Sequence, residues 1–220
     1  MLRLLRDHGL TIVLVCATAA TLIGMIFTGL SVYNLELAQH HQLALTLGDY
    51  ITTGHFLSAL FENWESEFLQ MSAYVVLTAF LFQRGSAESK DPDQRADQDE
   101  DPPSHMRNLR APLAVRAGGV RRLLYSYSLG IALFMLFLLS FGLHLQNSAA
   151  AQAIEARSHG LPSPDIWDHA LSAQFWFESF QNWQSEFLST AVLVVLSIFL
   201  RFRGSPESKA VGAPDSQTGG

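Results

Sequence analysis

Two long stretches without a single Lys, Arg, Asp or Glu, Leu10 to Tyr33 and Leu123 to Leu145, constrain this chain more than any other feature. Each exceeds the roughly 20 apolar residues that a helix needs to cross about 30 Å of hydrocarbon. Two shorter uncharged blocks, Phe68 to Phe82 and Phe187 to Leu200, accompany them. The expected count is therefore four membrane segments. The first could also be read as a secretory signal peptide, with Arg3 and Arg6 before it and Ala17-Thr18-Ala19 as a cleavage site. Its apolar run continues past Ala20 to Tyr33, so it is expected to stay as a membrane helix.

Charge gives the orientation, because Lys and Arg in short flanking loops resist translocation. Arg3 and Arg6 precede the first segment, Arg84 to Arg122 fill the region between the second and third, and Arg201, Arg203 and Lys209 follow the fourth. Of the 14 basic residues, all but Arg157 then fall on one side, which places both termini in the cytoplasm. The outer loops are left acidic, within a net charge of −6. That surface would gather cations, although exclusion of basic residues by topology produces the same pattern. The single cysteine, Cys16, lies inside the first segment, so no intramolecular disulfide and no cysteine metal cluster can form.

The chain also repeats itself. Phe61 to Lys90 (FENWESEFLQMSAYVVLTAFLFQRGSAESK) aligns without a gap on Phe180 to Lys209 (FQNWQSEFLSTAVLVVLSIFLRFRGSPESK), with 18 of 30 positions identical. This is the mark of a duplication. The same register pairs Asp49 with Asp168 and Phe56 with Phe175. Each half enters from the cytoplasm, crosses twice and returns, so the repeat is parallel and any pseudo-twofold axis follows the membrane normal. The expected organisation is a first repeat over residues 1–90, with spans at about 10–33 and 55–83, and a second over 120–209, with spans at about 123–145 and 174–202. Between them, residues 91–119 are rich in Asp, Gln, Pro and Arg and read as a disordered cytoplasmic linker; residues 210–220 read as a flexible tail.

Phe68 to Phe82 alone is too short to span, so its helix must extend back through Trp64 and Phe61. Phe56, Leu57, Leu60, Phe61, Trp64 and Phe68 fall at helical spacing and make one apolar stripe. Trp64 and Trp183 are expected as interfacial anchors at headgroup level. Glu67 then lies about 22 Å up the helix from Phe82, below the outer edge of the hydrocarbon. A carboxylate there must face protein, water or a partner, or be protonated. Asn63 is its (i, i+4) neighbour, and the second half repeats both residues as Asn182 and Glu186. Glu62 and Glu65 are replaced in the second half by Gln181 and Gln184. Two readings follow for Asn63, Glu67, Asn182 and Glu186. They hold helices together through interhelical polar contacts, or they line a shared polar site for cations or protons.

The second repeated element, Gly-Ser-x-Glu-Ser-Lys at Gly85 and Gly204, follows each helix. Gly85 and Gly204 are expected to end the helices in a left-handed conformation, with Arg84 and Arg203 in the last turn. Capping and anchoring is the favoured role, with lipid-headgroup or partner binding as the alternative. No HExxH, P-loop, GxSxG or GxGxxG is present, so neither a metal, nor another cofactor, nor a catalytic residue is expected, and nucleic acid is not an expected partner.

FENWESEFLQ followed by GSAESK, and FWFESFQNWQSEFL followed by GSPESK, resemble an uncharacterised family of small bacterial integral membrane proteins, a domain of unknown function. The resemblance covers nearly the whole chain. It implies a bacterial plasma membrane location and four helices, and supplies no activity, cofactor or catalytic residue.

The expected fold is an all-α membrane protein, with four transmembrane helices as two tandem parallel helical-hairpin repeats. The expected function is that of a structural or accessory envelope protein in the bilayer, acting as a homo-oligomer or with a membrane protein partner. The alternative is a small oligomeric cation or proton channel or transporter built on the two Asn–Glu pairs. An enzyme is the least expected class.

Overall fold

The computed structural model describes residues 2–99 and 111–219, with side chains from Leu5 onward. The centre of the expected linker, residues 100–110, lies outside the described residues, as do Met1 and Gly220. Among the described residues all regular structure is helical: α1 (Leu2–Gln39), α2 (Leu47–Tyr50), α3 (Gly54–Phe80), α4 (Leu113–Ala117), α5 (Gly119–Ser126), α6 (Ser128–Ser158), α7 (Ile166–Ala170) and α8 (Ala173–Phe199). A single 3-10 turn, Asp97–Asp99, precedes the undescribed stretch.

Two of these helices, α1 from Leu5 to Gln39 and α6, are long and apolar enough to cross a membrane. The first half of α3 carries Glu62, Glu65, Glu67, Asn63 and Gln70, and this polar content keeps α3 outside that class. In α8 the corresponding stretch carries Asn182, Gln184 and Glu186. The third apolar stretch differs in its start. Its expected beginning at residue 123 falls in α5, and α6 opens only after Tyr127 leaves the helical region (φ −114°, ψ 11°). Within α1, Thr18, Thr21, Thr28 and Ser31 return their hydroxyls to carbonyls four residues back at 2.8–3.0 Å. An apolar helix can thereby satisfy hydroxyl donors within its own backbone even where the side chains face outward.

The chain divides into two compact units, one of residues 1–61 and 143–175, the other of 62–142 and 176–220; α3, α6 and α8 contribute to both. In the first unit α1 ends with His41 in the left-handed region (φ 56°), with His41 N bonded to Ala38 O and Gln42 N to Leu37 O. At the end of α6 Gly160 does the same (φ 69°), with Gly160 N on Arg157 O and Leu161 N on Ala156 O. This 6→1 and 5→2 pattern satisfies helix-end carbonyls. The short helices that follow also match in construction. Thr46 caps α2 by accepting from Asp49 N, and Asp165 caps α7 by accepting from Ile166 N. Their buried residues are Tyr50 and His169, and Thr53 and Ser172 then accept from Phe56 N and Phe175 N at 3.2 Å to start α3 and α8.

In the second unit, the part of α6 near Gly130 lies against Val75 and Val76 of α3. Phe137 and Phe141 of α6 pack on Trp176 and Trp183 of α8, with ring centroids 6.1–6.4 Å apart. Among the described residues many polar side chains of the helices lie inside and many large apolar ones outside, which a water-soluble bundle would reverse. Ser66, Ser72, Ser140, Ser148, Ser179, Ser197, His144 and Glu65 are buried. Leu10, Val15, Phe27, Leu129, Met135, Phe80, Phe187 and Phe199 are exposed.

Candidate functional site

The polar residues of α3 and α8 meet in a series of cross-helix bonds within the second unit. Asn182 donates its amide to Glu62 Oε1. Trp183 Nε1 donates to Glu65 Oε1 at 3.1 Å, and Glu65 is fully buried. Gln70 Nε2 donates to Thr190 Oγ1 at 2.6 Å, and Thr190 hands its own proton to Glu186 O. Near the end of α8, Ser197 shares a buried hydroxyl–hydroxyl bond of 2.8 Å with Ser86 of the loop after α3. Each carboxylate here meets a neutral donor, the arrangement that lets a charged or protonated acid be enclosed without an orphaned polar atom.

Of the four sequence-derived site residues, Asn182 takes part in these bonds. Asn182 turns to Glu62 and to Glu178 O, not to Glu186. Asn63 and Glu67 are exposed, and Glu186 is half-buried. Glu67 and Glu186 are close enough that the charge on one acts on the other. Trp64 is exposed, whereas Trp183 sits among Phe137, Phe141, Trp176 and Phe180. Gly85 and Gly204 are left-handed (φ 84° and 87°), but each lies five residues past its helix, which ends at Phe80 or Phe199. They turn a loop where a helix cap was expected.

The serine bonds of that loop occur twice. Ser89 Oγ accepts from Gln83 N and donates to Lys90 O, as Ser208 Oγ accepts from Phe202 N and donates to Lys209 O. Ser86 Oγ accepts from Glu88 N, as Ser205 Oγ accepts from Glu207 N. The two serines of Gly-Ser-x-Glu-Ser-Lys therefore hold the loop, and the lysine is left to reach elsewhere. Lys209 is buried, donating to Gly85 O, Asp215 O and Gln217 O, and Thr218 Oγ1 accepts from Gly85 N. Residues 214–218, which composition reads as part of a free tail, are the acceptors.

The glutamates of the two loops are neighbours. Tyr74 donates to Glu88 Oε2 at 2.9 Å, while Glu88 Oε1 is shielded from solvent and meets no donor among the described residues. Burial pushes Glu88 above the ordinary glutamate range; the Tyr74 bond pulls it down and the Glu207 carboxyl pushes it further up. Folded Glu88 therefore holds its proton to a higher pH than unfolded Glu88. Its contribution to stability falls as pH rises from the ordinary range through the raised one, and stays low above it. Glu88→Gln is expected to flatten that part of the pH profile and to gain on the wild type at neutral pH, as read by unfolding temperatures in detergent across pH. Parallel profiles for the two proteins would contradict it.

A polar cluster that no sequence motif marks lies in the first unit. His169 Nδ1 meets Gln152 Oε1 at 2.6 Å and its Nε2 meets Ser148 Oγ at 2.8 Å. With the amide oxygen as acceptor, Nδ1 carries the proton and Nε2 accepts from the serine. His169 and Ser148 are buried and Gln152 half-buried, and the Phe175 ring lies 5.6 Å from the imidazole at a tilt of 60°. Among the described residues no three His, Cys, Asp or Glu side chains are grouped to hold a metal.

These features define an all-helical protein in which two helices are long and apolar enough to span a membrane. A family described as a domain of unknown function (DUF6766) matches residues 1–220. The chain belongs to that family. No curated protein and no solved structure matches it.

Proposed function

We propose that this is a multi-pass protein of the bacterial inner membrane, with a structural or accessory role in the envelope. In this reading α1, α3, α6 and α8 all cross the bilayer, both termini are cytoplasmic, and the two halves descend from one duplicated hairpin. The inverted solvent pattern carries the reading: polar side chains bond to one another between α3 and α8 while large apolar side chains face outward. Water would impose the opposite arrangement, and extensive exposed apolar surface calls for a lipid or protein covering. The bonds of Glu62, Glu65 and Gln70 to α8 make these polar groups fasteners between helices, typically worth about 1 kcal/mol each in a membrane. The bilayer is the first partner, and a second copy or another membrane protein the next.

A second reading, an oligomeric cation or proton channel, draws on Glu67 and Glu186, two carboxylates whose charges act on each other. Flux measurements in liposomes containing the purified protein separate the two. The structural reading expects no proton or cation flux above protein-free liposomes, for the wild type or for Glu67→Gln/Glu186→Gln. It expects Glu65→Leu, which strands the Trp183 N–H, to lower the unfolding temperature in detergent by the equivalent of about 1–3 kcal/mol. Flux that disappears in a well-folded Glu67→Gln/Glu186→Gln protein would overturn it in favour of the channel. Reporter fusions at His41 and Gly220 test the topology, with external and cytoplasmic readings expected.

A further inference from the structure

The two Gly-Ser-x-Glu-Ser-Lys loops share a left-handed glycine and the same local serine bonds, but their arginines differ in circumstance. Arg84 is held in a two-pronged ion pair by Asp93, at 2.5 and 3.1 Å. In the register of the repeat, the residue matching Asp93 is Gly212, which has no carboxylate to offer. Arg203 is exposed and makes no side-chain hydrogen bond or ion pair among the described residues. The other cations nearby are occupied, Arg201 by Asp215 and Ala213 O, and Lys209 by its carbonyls. Glu207, the acid of this loop, is the neighbour of Glu88.

Arg203 also lines an open cavity of about 590 Å³, together with Phe202, Gly204, Ser205, Pro206 and Val211. Phe202 is 75% exposed and Val211 63%. The Ser205 hydroxyl accepts from Glu207 N and keeps its own proton for donation. A guanidinium fork without an acid, a hydroxyl donor and an apolar rim stand together immediately after α8. The fork geometry of arginine matches the oxygens of a phosphate, and the rim matches the glycerol and upper acyl region beside it. Such an arrangement at the end of a membrane helix suits a lipid headgroup better than a soluble anion, which would gain nothing from the rim.

We infer that the second loop, through Arg203, Ser205 and the Phe202–Val211 rim, binds the phosphate-bearing headgroup of an anionic phospholipid, and that the first loop does not. The inference rests on the reading of α8 as a membrane helix. In it, the repeat has divided its labour: Arg84 closes its own loop, and Arg203 reaches out to the bilayer.

The test uses the full-length protein reconstituted in phosphatidylcholine vesicles with and without phosphatidylglycerol, comparing wild type, Arg203→Gln and Arg84→Gln. Lipids retained after detergent extraction and exchange would be quantified by mass spectrometry. Retained phosphatidylglycerol is expected to fall about fivefold to tenfold in Arg203→Gln and to hold in Arg84→Gln, a loss appropriate to one charge-assisted contact. Inorganic phosphate is expected not to displace the lipid. Equal retention by Arg203→Gln and wild type would overturn the inference, as would an equal loss in Arg84→Gln or displacement by inorganic phosphate. Unfolding temperatures in phosphatidylcholine alone control for folding of the variants. A protein that carbonate strips from the vesicles would sink the membrane reading itself; one that stays embedded without preferring phosphatidylglycerol would sink only the headgroup site.

Discussion

Gly54→Ala is expected to lower the unfolding temperature of the protein in detergent, by the equivalent of about 1–3 kcal/mol. Gly54 opens α3 directly against the backbone of α6 within the first unit. A methyl group there would stand 2.7 Å from Asn147 O, 2.8 Å from Ala151 N and 3.3 Å from Ala150 Cβ. The two nearest atoms belong to a helix backbone, so no rotamer change can clear the space and one helix must shift. Tyr50 and Phe56, buried on either side of Gly54 in the chain, would move with it. Position 173, the counterpart of Gly54 in the second half, is alanine, so α8 opens where a methyl is accepted. Gly142 in the middle of α6 is the control, since nothing lies within 4 Å of a methyl group built there. Gly142→Ala should leave stability unchanged or raise it by up to about 1 kcal/mol, the helix-propensity difference. Opposite signs for the two substitutions are the expected result. A Gly54→Ala protein as stable as the wild type would show that the two helices are not in contact at this point.

The features legible in the sequence were those written in local periodicity. The uncharged runs around Leu10–Tyr33 and Leu123–Leu145 announce long apolar helices because length and composition are written in every residue of the run, although a break at Tyr127 left no such mark. The partners of the polar side chains were not legible, because helical spacing defines faces and says nothing about which foreign helix a face meets. Asn182 and Glu186 are (i, i+4) neighbours, yet the Asn182 amide goes to Glu62 on α3. Glu62 and Glu65, which the second half replaces by Gln181 and Gln184, are the acids that α8 engages. Their asymmetry was the available signal: an acid kept in only one copy can be complementary to an amide or indole in the other. Gly85 and Gly204 were recognisable as left-handed turns, but not their distance from the helix ends, since Ser89 and Ser208 capture backbone N–H groups that would otherwise continue the helix. The position of the tail depends on backbone carbonyls, which every sequence possesses, and so left no mark in side-chain composition.

Those carbonyls make Lys209 the residue whose loss is expected to cost most at this end of the molecule. Its ammonium donates to Gly85 O at 2.5 Å, Asp215 O at 2.9 Å and Gln217 O at 3.0 Å, with Pro214 O further off at 3.4 Å, and the side chain is 1% exposed. Three N–H groups thus meet three near acceptors, one from the loop after α3 and two from the tail. Lys209→Met keeps the length of the side chain and removes every donor. The carbonyls are then left facing a thioether, at an expected cost of about 2–4 kcal/mol. Lys209→Arg should not rescue it, because a planar guanidinium cannot direct its donors at acceptors clustered around one point. Lys90→Met is the matched control. Lys90 reaches Ala79 O and a partly exposed Asp99, so its loss should cost less than about 1 kcal/mol. Limited proteolysis reads the difference: in Lys209→Met the segment after residue 209 should be cut while the helices are still intact, whereas in Lys90→Met and wild type it should resist until global unfolding. If the tail of Lys209→Met is as protected as that of the wild type, then Thr218, which accepts from Gly85 N, and Asp215, which pairs with Arg201, hold it without the lysine.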